Sequence, residues 1–390
     1  MDGGVHTPPR DVVDSTGRWS LLRGDCRRRL AELPSASHQV CVTSPPYWGL
    51  RDYGTGRWEG GDPTCDHRRT SARSVAGSTL DGATTTQGHA QDVWTRGACG
   101  RCGARRVDDH QIGQEDSVTA YVAELVGVLR EVRRILRPDG TLWLNLGDVR
   151  GRNPGAQGAT GQRASRPSGA AQAAVADRRR ATAPKSLVGL PWRVAFALVD
   201  DGWILRADII WVKPRPMPES VTDRPTSSHE YVFLLARSRR YYYDAKAIAT
   251  AAVKSASRNK RRRYGDDRSR SGDHLGASVP WEGDTANARD VWVIDHDDAV
   301  DRVPGHHALM PVELARRCVL AGSRPGDLVL DPFSGMASTG LAAVGAGRPY
   351  TGIELNPAYL ATSAERLRSL DPTAPLRPSA TAHWSLFERT

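Results

Sequence analysis

The chain has 390 residues, enough for one large α/β core with insertions or for two ordinary domains. Hydrophobic residues at 39% and charged residues at 25% describe a globular protein, and no stretch reaches the roughly 20 apolar residues of a membrane span. A formal charge of +10 and a pI near 9.6 favour a polyanionic partner, because each phosphate neutralised by Lys or Arg releases condensed counterions.

The N-terminus has no apolar run behind a basic start, so no secretory signal is expected and the cytoplasm is the expected compartment. An apolar strand is expected over 19–25, stopped by Gly24-Asp25, and another over 39–43. The second runs into Pro45-Pro46, which remove two donors and fix the backbone, so the chain must leave the sheet there. Val122, Leu125, Val126, Leu129, Val132, Ile135 and Leu136 recur at helical spacing and predict a helix over 121–136, ended by Pro138-Asp139-Gly140. A strand follows over 141–146, then an amphipathic helix over 187–199 closed by Asp201-Gly202, then strands over 207–212 and 231–235. The last block holds a helix over 311–320, a strand over 328–330, a glycine-containing turn, a helix ending at Val344 and a strand over 350–353. Strands alternating with helices predict a mostly parallel sheet covered on both faces.

Three stretches interrupt these blocks and read as insertions in a single domain spanning 1–390. Residues 54–118 are polar and rich in Gly and Thr, 151–184 are rich in Ala, Gly and Arg, and 251–290 are basic, with the run Asn259-Lys260-Arg261-Arg262-Arg263. The last two contain few residues able to form a core and read as loops. Cys26, Cys41 and Cys318 sit inside apolar or helical patterns and are expected to be buried thiols without chemistry.

Near the C-terminus, Leu330-Asp331-Pro332-Phe333-Ser334-Gly335 is a strand running into a turn that brings backbone close to a ligand. No Lys follows the glycines, and their spacing is not G-x-G-x-x-G, so a phosphate is not the expected guest. Glu354 ends the next strand, in Gly352-Ile353-Glu354-Leu355-Asn356, where dinucleotide-binding folds put the carboxylate that accepts both ribose hydroxyls. A nucleoside without phosphates fits this pair.

The second feature is Thr43-Ser44-Pro45-Pro46-Tyr47-Trp48, at the end of its own strand. An exocyclic amine of cytosine or adenine is a poor nucleophile because its lone pair is delocalised into the ring. Acceptors aimed at its hydrogens pull the nitrogen toward tetrahedral geometry and localise that pair. Ser44 Oγ and the Pro45 carbonyl are the candidate acceptors, and Tyr47 is a candidate platform for a base rotated out of a duplex.

The strings S-P-P-Y and D-P-F-x-G resemble those of the amino-group DNA methyltransferases, with the catalytic motif ahead of the cofactor motif as in the circularly permuted β group. Further blocks stand in family order: Leu22-Arg23-Gly24-Asp25-Cys26, Asn145-Leu146-Gly147-Asp148, Trp211-Val212-Lys213-Pro214, His229-Glu230-Tyr231 and Leu309-Met310-Pro311. The resemblance implies an S-adenosylmethionine-dependent methyltransferase fold with a seven-stranded sheet, in which the strands ending at Thr43 and Asp331 are neighbours. It implies Ser44, Pro45, Pro46 and Tyr47 as catalytic residues. It gives Thr43, Asp331, Pro332, Phe333, Ser334, Gly335, Glu354 and Asn356 to S-adenosylmethionine, with Asp25 and Pro311 flanking. One departure is Met336-Ala337-Ser338-Thr339, where relatives often carry a second glycine and a Thr pair.

Within the family S-P-P-Y goes mainly with cytosine N4 and D-P-P-Y with adenine N6, so the resemblance implies cytosine N4, with adenine N6 as the alternative. Cytosine C5 chemistry is disfavoured, because neither Cys26 nor Cys41 follows a proline as a C6 nucleophile would. Double-stranded DNA is the implied partner, with arginines of 258–270 and the first insertion as candidate readers; relatives of the β group are often dimers, and a homodimer and a cognate restriction endonuclease are further candidate partners. The rival readings are an RNA- or protein-modifying enzyme of the same fold, and a zinc-dependent nucleic-acid-binding module.

In the first insertion, Cys65-Asp66-His67 precedes the knuckle Cys99-Gly100-Arg101-Cys102. Three thiols and an imidazole suit tetrahedral Zn²⁺, with His110 as the alternative to His67.

Overall fold

The computed structural model describes residues 11–49, 53, 55–62, 64–65, 99, 102–107, 111–151, 183, 185–216, 218–251, 285–297, 300–301 and 309–370. In chain order its elements begin with β1 (Val12–Val13), β2 (Trp19–Arg23), α1 (Cys26–Glu32), β3 (His38–Thr43), β4 (Arg57–Glu59), β5 (Arg105–Val107), α2 (Val118–Ile135) and β6 (Leu136–Leu146). They continue with α3 (Leu190–Asp200), β7 (Ile204–Val212), β8 (His229–Ala236), β9 (Thr250–Ala251), β10 (Thr285–Ala286) and β11 (Val291–Val293). The last are α4 (Val312–Gly322), β12 (Val329–Asp331), α5 (Ser338–Gly345), β13 (Tyr350–Glu354) and α6 (Pro357–Arg368).

Nine strands form one sheet in the order β1-β2-β13-β12-β3-β6-β8-β7-β11. The seven expected strands are its middle, from β2 to β7. β1 pairs antiparallel with β2 at one edge, and β11 pairs parallel with β7 at the other. From β2 to β6 all neighbours are parallel, and β8 runs antiparallel to both β6 and β7. β3 and β12 are far apart in sequence yet adjacent, with Val40 opposite Val329 and Cys41 opposite Leu330.

Both faces of β3 are buried, its centre being apolar and the side chains of His38, Gln39 and Thr43 being hydrogen-bonded. Val40 and Val42 pack on one side with Leu314, Leu341 and Leu360 from α4, α5 and α6. Cys41 points to the other side, toward Leu30, Leu125 and Leu198 from α1, α2 and α3. Each such aliphatic side chain contributes roughly 1.5–3 kcal/mol by leaving water. Cys26, Cys41 and Cys318 are all buried, and burial pushes the Cys26 thiol up to about 12.

Most boundaries shift by one to three residues from the sequence reading, and two differ in kind. β2 stops at Arg23, and Asp25 instead caps α1, its carboxylate accepting from the Arg27 N–H at 3.0 Å. β6 begins at Leu136 and carries Pro138-Asp139-Gly140 as a bulge, since the partners of His38 and Val40 are Leu136 and Thr141. The turn residues therefore kink a strand that opens directly on α2. The second insertion, 151–184, and the third, 251–290, fall almost wholly outside the described residues, although β9 and β10 pair across the third. Among the described residues no helix is long and apolar enough to cross a membrane.

Candidate active site

The C-terminal ends of β3, β12 and β13 open on a pocket of about 890 Å³, counting its mouth. Its walls include Gly24, Asp25, Ser44, Pro46, Asp331, Pro332, Phe333, Ser334, Gly335, Met336, Glu354 and Tyr359. A crevice beyond the carboxyl ends of parallel strands, where connections diverge, is where open α/β sheets bind ligands.

Glu354 ends β13 with both oxygens held by backbone N–H groups, Oε2 by Gly335 at 2.8 Å and Oε1 by Asn356 at 2.7 Å. Burial raises its carboxyl to about 7, which those two N–H groups partly oppose. Asp331 is buried and likewise raised to about 6, against hydrogen bonds from the Thr43 hydroxyl at 2.6 Å and the Phe333 N–H at 3.0 Å. Two carboxyl groups so poised in one pocket suit a ligand that brings hydroxyl donors and positive charge.

Thr43, Pro311 and Asn356 stand behind these walls. Thr43 is wholly buried and fixes Asp331, and Pro311 caps α4 just beyond the wall residues Leu309 and Met310. Asn356 caps α6 through Ala358 N–H at 2.8 Å and donates to the Tyr53 carbonyl at 3.0 Å. Met336 lines the pocket, and Ala337 holds a left-handed backbone at φ +58°, a conformation that glycine adopts without strain. That is a physical reason for the second glycine that the family resemblance implies in this turn.

The strand-exit loop lies along the lip of this pocket, with Ser44 and Pro46 in its wall. Trp48 anchors the loop from behind, fully buried with its indole N–H donating to the Glu115 carbonyl at 2.9 Å. The Tyr121 hydroxyl from α2 donates to the Pro46 carbonyl at 2.9 Å, and Gly49 N–H donates to Gly113 at 2.8 Å. The Pro45 carbonyl receives no hydrogen bond among the described residues.

Tyr47 leads to a group that the sequence reading did not single out. Its hydroxyl donates to Glu230 Oε2 at 2.7 Å, and Asn145 Nδ2 reaches the same oxygen at 3.1 Å. Lys213 pairs with the other oxygen of Glu230. Burial first, then the Glu230 charge, pushes the Tyr47 phenol well above its usual range, so it stays a donor. Gly147 makes room for this contact, since a Cβ there would stand 2.8 Å from the Tyr47 ring and 3.1 Å from the Glu230 carboxyl. The signal in the sequence is an acid near the start of a mostly apolar strand, His229–Ala236, and the acid's register partner Trp211 stands two residues before Lys213.

The sulfur atoms of Cys65, Cys99 and Cys102 lie within 4.8 Å of one another, and none of the three is in a disulfide. His67 and His110 lie outside the described residues.

A permuted α/β sheet with a carboxylate-lined pocket at the end of one strand and an S-P-P-Y loop at the end of the next defines a methyltransferase architecture. A family model of DNA methylases, covering the N6 and N4 amino-methylating enzymes, matches residues 38–365. The type II methyltransferase M.SmaI of Serratia marcescens is 37% identical over 372 residues, 93% of this chain and 98% of its own. M.Cfr9I of Citrobacter freundii is 36% identical over 352 residues, 90% of this chain and 88% of its own. The solved structure of the PvuII DNA methyltransferase, described as cytosine-N4-specific, superposes with a TM-score of 0.52 at 15% identity, covering 91% of this chain and 89% of that one. The chain belongs to the N6/N4 amino-methylating DNA methylase family.

Proposed function

We propose that this chain methylates the exocyclic N4 amine of cytosine in double-stranded DNA, with S-adenosylmethionine as donor. The observation that carries the reading is the parallel pairing of β3 with β12, which brings Ser44 and Asp331 to one pocket from opposite ends of the sequence.

The pocket chemistry fits the donor. Glu354, with both oxygens already oriented by backbone N–H groups, suits the two ribose hydroxyls, and Phe333, Ile353 and Leu355 offer apolar walls for the purine. Asp331 supplies negative charge near the methionine end. When bound, S-adenosylmethionine supplies an electrophilic methyl group on a positively charged sulfur. The chain's own task is to present the amine. The base leaves the stack and rests against Tyr47, whose ring is held by Glu230. Ser44 Oγ and the Pro45 carbonyl accept the amine hydrogens, and the prolines hold that carbonyl rigid, so the nitrogen lone pair is directed at the methyl group. The assignment to cytosine rests on Ser44 as the first residue of the S-P-P-Y string. The arginines of 258–270, outside the described residues, are the proposed target readers, and the type II designation of the relatives supports a companion restriction endonuclease.

Transfer of a tritiated methyl group to DNA followed by nucleoside analysis tests this. N4-methyldeoxycytidine is expected. N6-methyldeoxyadenosine would move the assignment to adenine, and label found only in RNA or protein would reject the reading.

A further inference from the structure

The three thiols of the first insertion are not accounted for by methyl transfer. Cys65 follows a tight turn in which its N–H donates to the Asp62 carbonyl at 3.0 Å, while Asp62 Oδ1 accepts from Thr64 N–H at 2.8 Å. Cys99 and Cys102 lie on a second turn, closed by Gly103 N–H to the Cys99 carbonyl at 2.8 Å and by Cys99 N–H to the Ala104 carbonyl at 2.6 Å. The two turns meet only because residue 61 is glycine, since a Cβ there would stand 2.7 Å from the Ala104 nitrogen and 2.8 Å from the Cys102 carbonyl oxygen. Their approach brings Cys65 Sγ to 3.9 Å from Cys99 Sγ. Two thiolates on a tetrahedral zinc, each bonded at about 2.3 Å, stand about 3.8 Å apart.

We propose that Cys65, Cys99 and Cys102 bind one structural Zn²⁺, and that this ion organises the segment closing one side of the cofactor pocket. Binding releases the thiol protons to solvent and leaves three thiolates on the metal, the fourth position being filled from outside this trio. The strand pair that carries the two turns needs such a clamp. β4 and β5 are three residues each, paired antiparallel, and a two-stranded hairpin of that size is marginal in water.

The base of the hairpin is rooted in the pocket. Tyr53 and Thr55 precede β4, Gln111 and Ile112 follow β5, and all four line the pocket wall. Gln111 Oε1 accepts from Tyr53 N–H at 2.7 Å, and the Tyr53 carbonyl accepts from Asn356, whose own N–H holds Glu354. The Tyr53 ring also meets Tyr359 edge-on at 6.2 Å. A metal at the hairpin tip therefore pre-orders four wall residues and, through Asn356, the carboxylate proposed for the ribose. This second half rests on the methyltransferase reading, whereas the metal content does not.

The test uses full-length protein purified without an affinity tag. Elemental analysis is expected to give about one zinc per chain. Titration of native protein with an organomercurial should release that zinc to a metallochromic dye. Cys65→Ser and Cys102→Ser should each lose the metal while circular dichroism keeps the core signal. Less than about half an equivalent of zinc, or full retention in both variants, overturns the site. Should the variants not fold, the stoichiometry and mercurial release on the native chain still decide. For the coupling, calorimetric titration with S-adenosylhomocysteine is expected to show binding weakened at least about fivefold once zinc is withdrawn. Equal affinity with and without zinc overturns the coupling, and no binding to the zinc-loaded chain overturns the methyltransferase reading instead.

Discussion

Asp331 is buried and Glu354 half-buried by the fold before any ligand arrives, and desolvation is the largest cause of both raised values, about 6 and about 7. A ribose hydroxyl or a cationic ligand group binds the ionised form, so a protonated carboxyl must lose its proton on binding. Affinity for S-adenosylhomocysteine should therefore climb with pH through this window and level off near pH 8. From pH 8 to pH 6 the expected loss is about tenfold from Glu354 alone and about twofold more from Asp331. Calorimetry across that range checks it, and a flat profile would mean that neither carboxylate meets the ligand. In Glu354→Gln the steeper part of the profile should vanish, with affinity lower by about 1.5–3 kcal/mol at pH 8. Glu230 calls for a different outcome, because it lines no part of the pocket and, in the proposed reaction, would act through Tyr47, whose hydroxyl it accepts from. Glu230→Gln should reduce kcat by about 10- to 100-fold while leaving cofactor affinity within about twofold. Equal losses in both would make Glu230 a general stabiliser of the site.

At the scale of elements, α5 begins on a strained residue. Ala337 sits at φ +58° as the helix N-cap, with no side-chain cap, where a Cβ crowds the backbone. Ala337→Gly should raise stability by about 0.5–1 kcal/mol, read from denaturant unfolding, since the relieved strain exceeds the entropy glycine adds to the unfolded chain. An unchanged or lowered midpoint would show that the cofactor loop does not depend on this conformation for its cost. The same elements show what a sequence can disclose. β3 and β12 were legible from the short apolar runs Val40-Cys41-Val42 and Val329-Leu330, each followed by turn-forming residues, and α2 because its buried stripe repeats at helical spacing. α1 was not, since it spans seven residues with three arginines and only Cys26 and Leu30 buried. β6 was cut short because Pro138-Asp139-Gly140 has the composition of a turn and only the neighbouring strand makes it a bulge. Glu230 was missed for a related reason. Its role depends on register across β8, β7 and β6, which local sequence does not express.

At the scale of the molecule, the net charge of +10 sets how the chain meets DNA more than it sets the fold. The proposed methyl transfer to a flipped base would need the duplex held against the pocket mouth, and phosphate contacts supply such a grip without reading sequence. Each phosphate so engaged releases counterions, so log K for a duplex should fall linearly with log salt, by about 0.9 per phosphate neutralised. The run Lys260-Arg261-Arg262-Arg263 offers four adjacent cations for this purpose. Changing all four to alanine separates two roles. If they grip phosphate, the salt slope should shrink by about 3–4 and binding should weaken equally for cognate and unrelated duplexes. If they read bases, the slope should move less, and the ratio of cognate to unrelated affinity should collapse, by about 1–3 kcal/mol for each bidentate hydrogen-bonded pair to a base edge that the alanines remove. Fluorescence anisotropy on the two duplexes at several salt concentrations distinguishes the outcomes. The target-reader proposal for 258–270 requires the second, and the first would leave these residues as the grip that brings the duplex to Ser44.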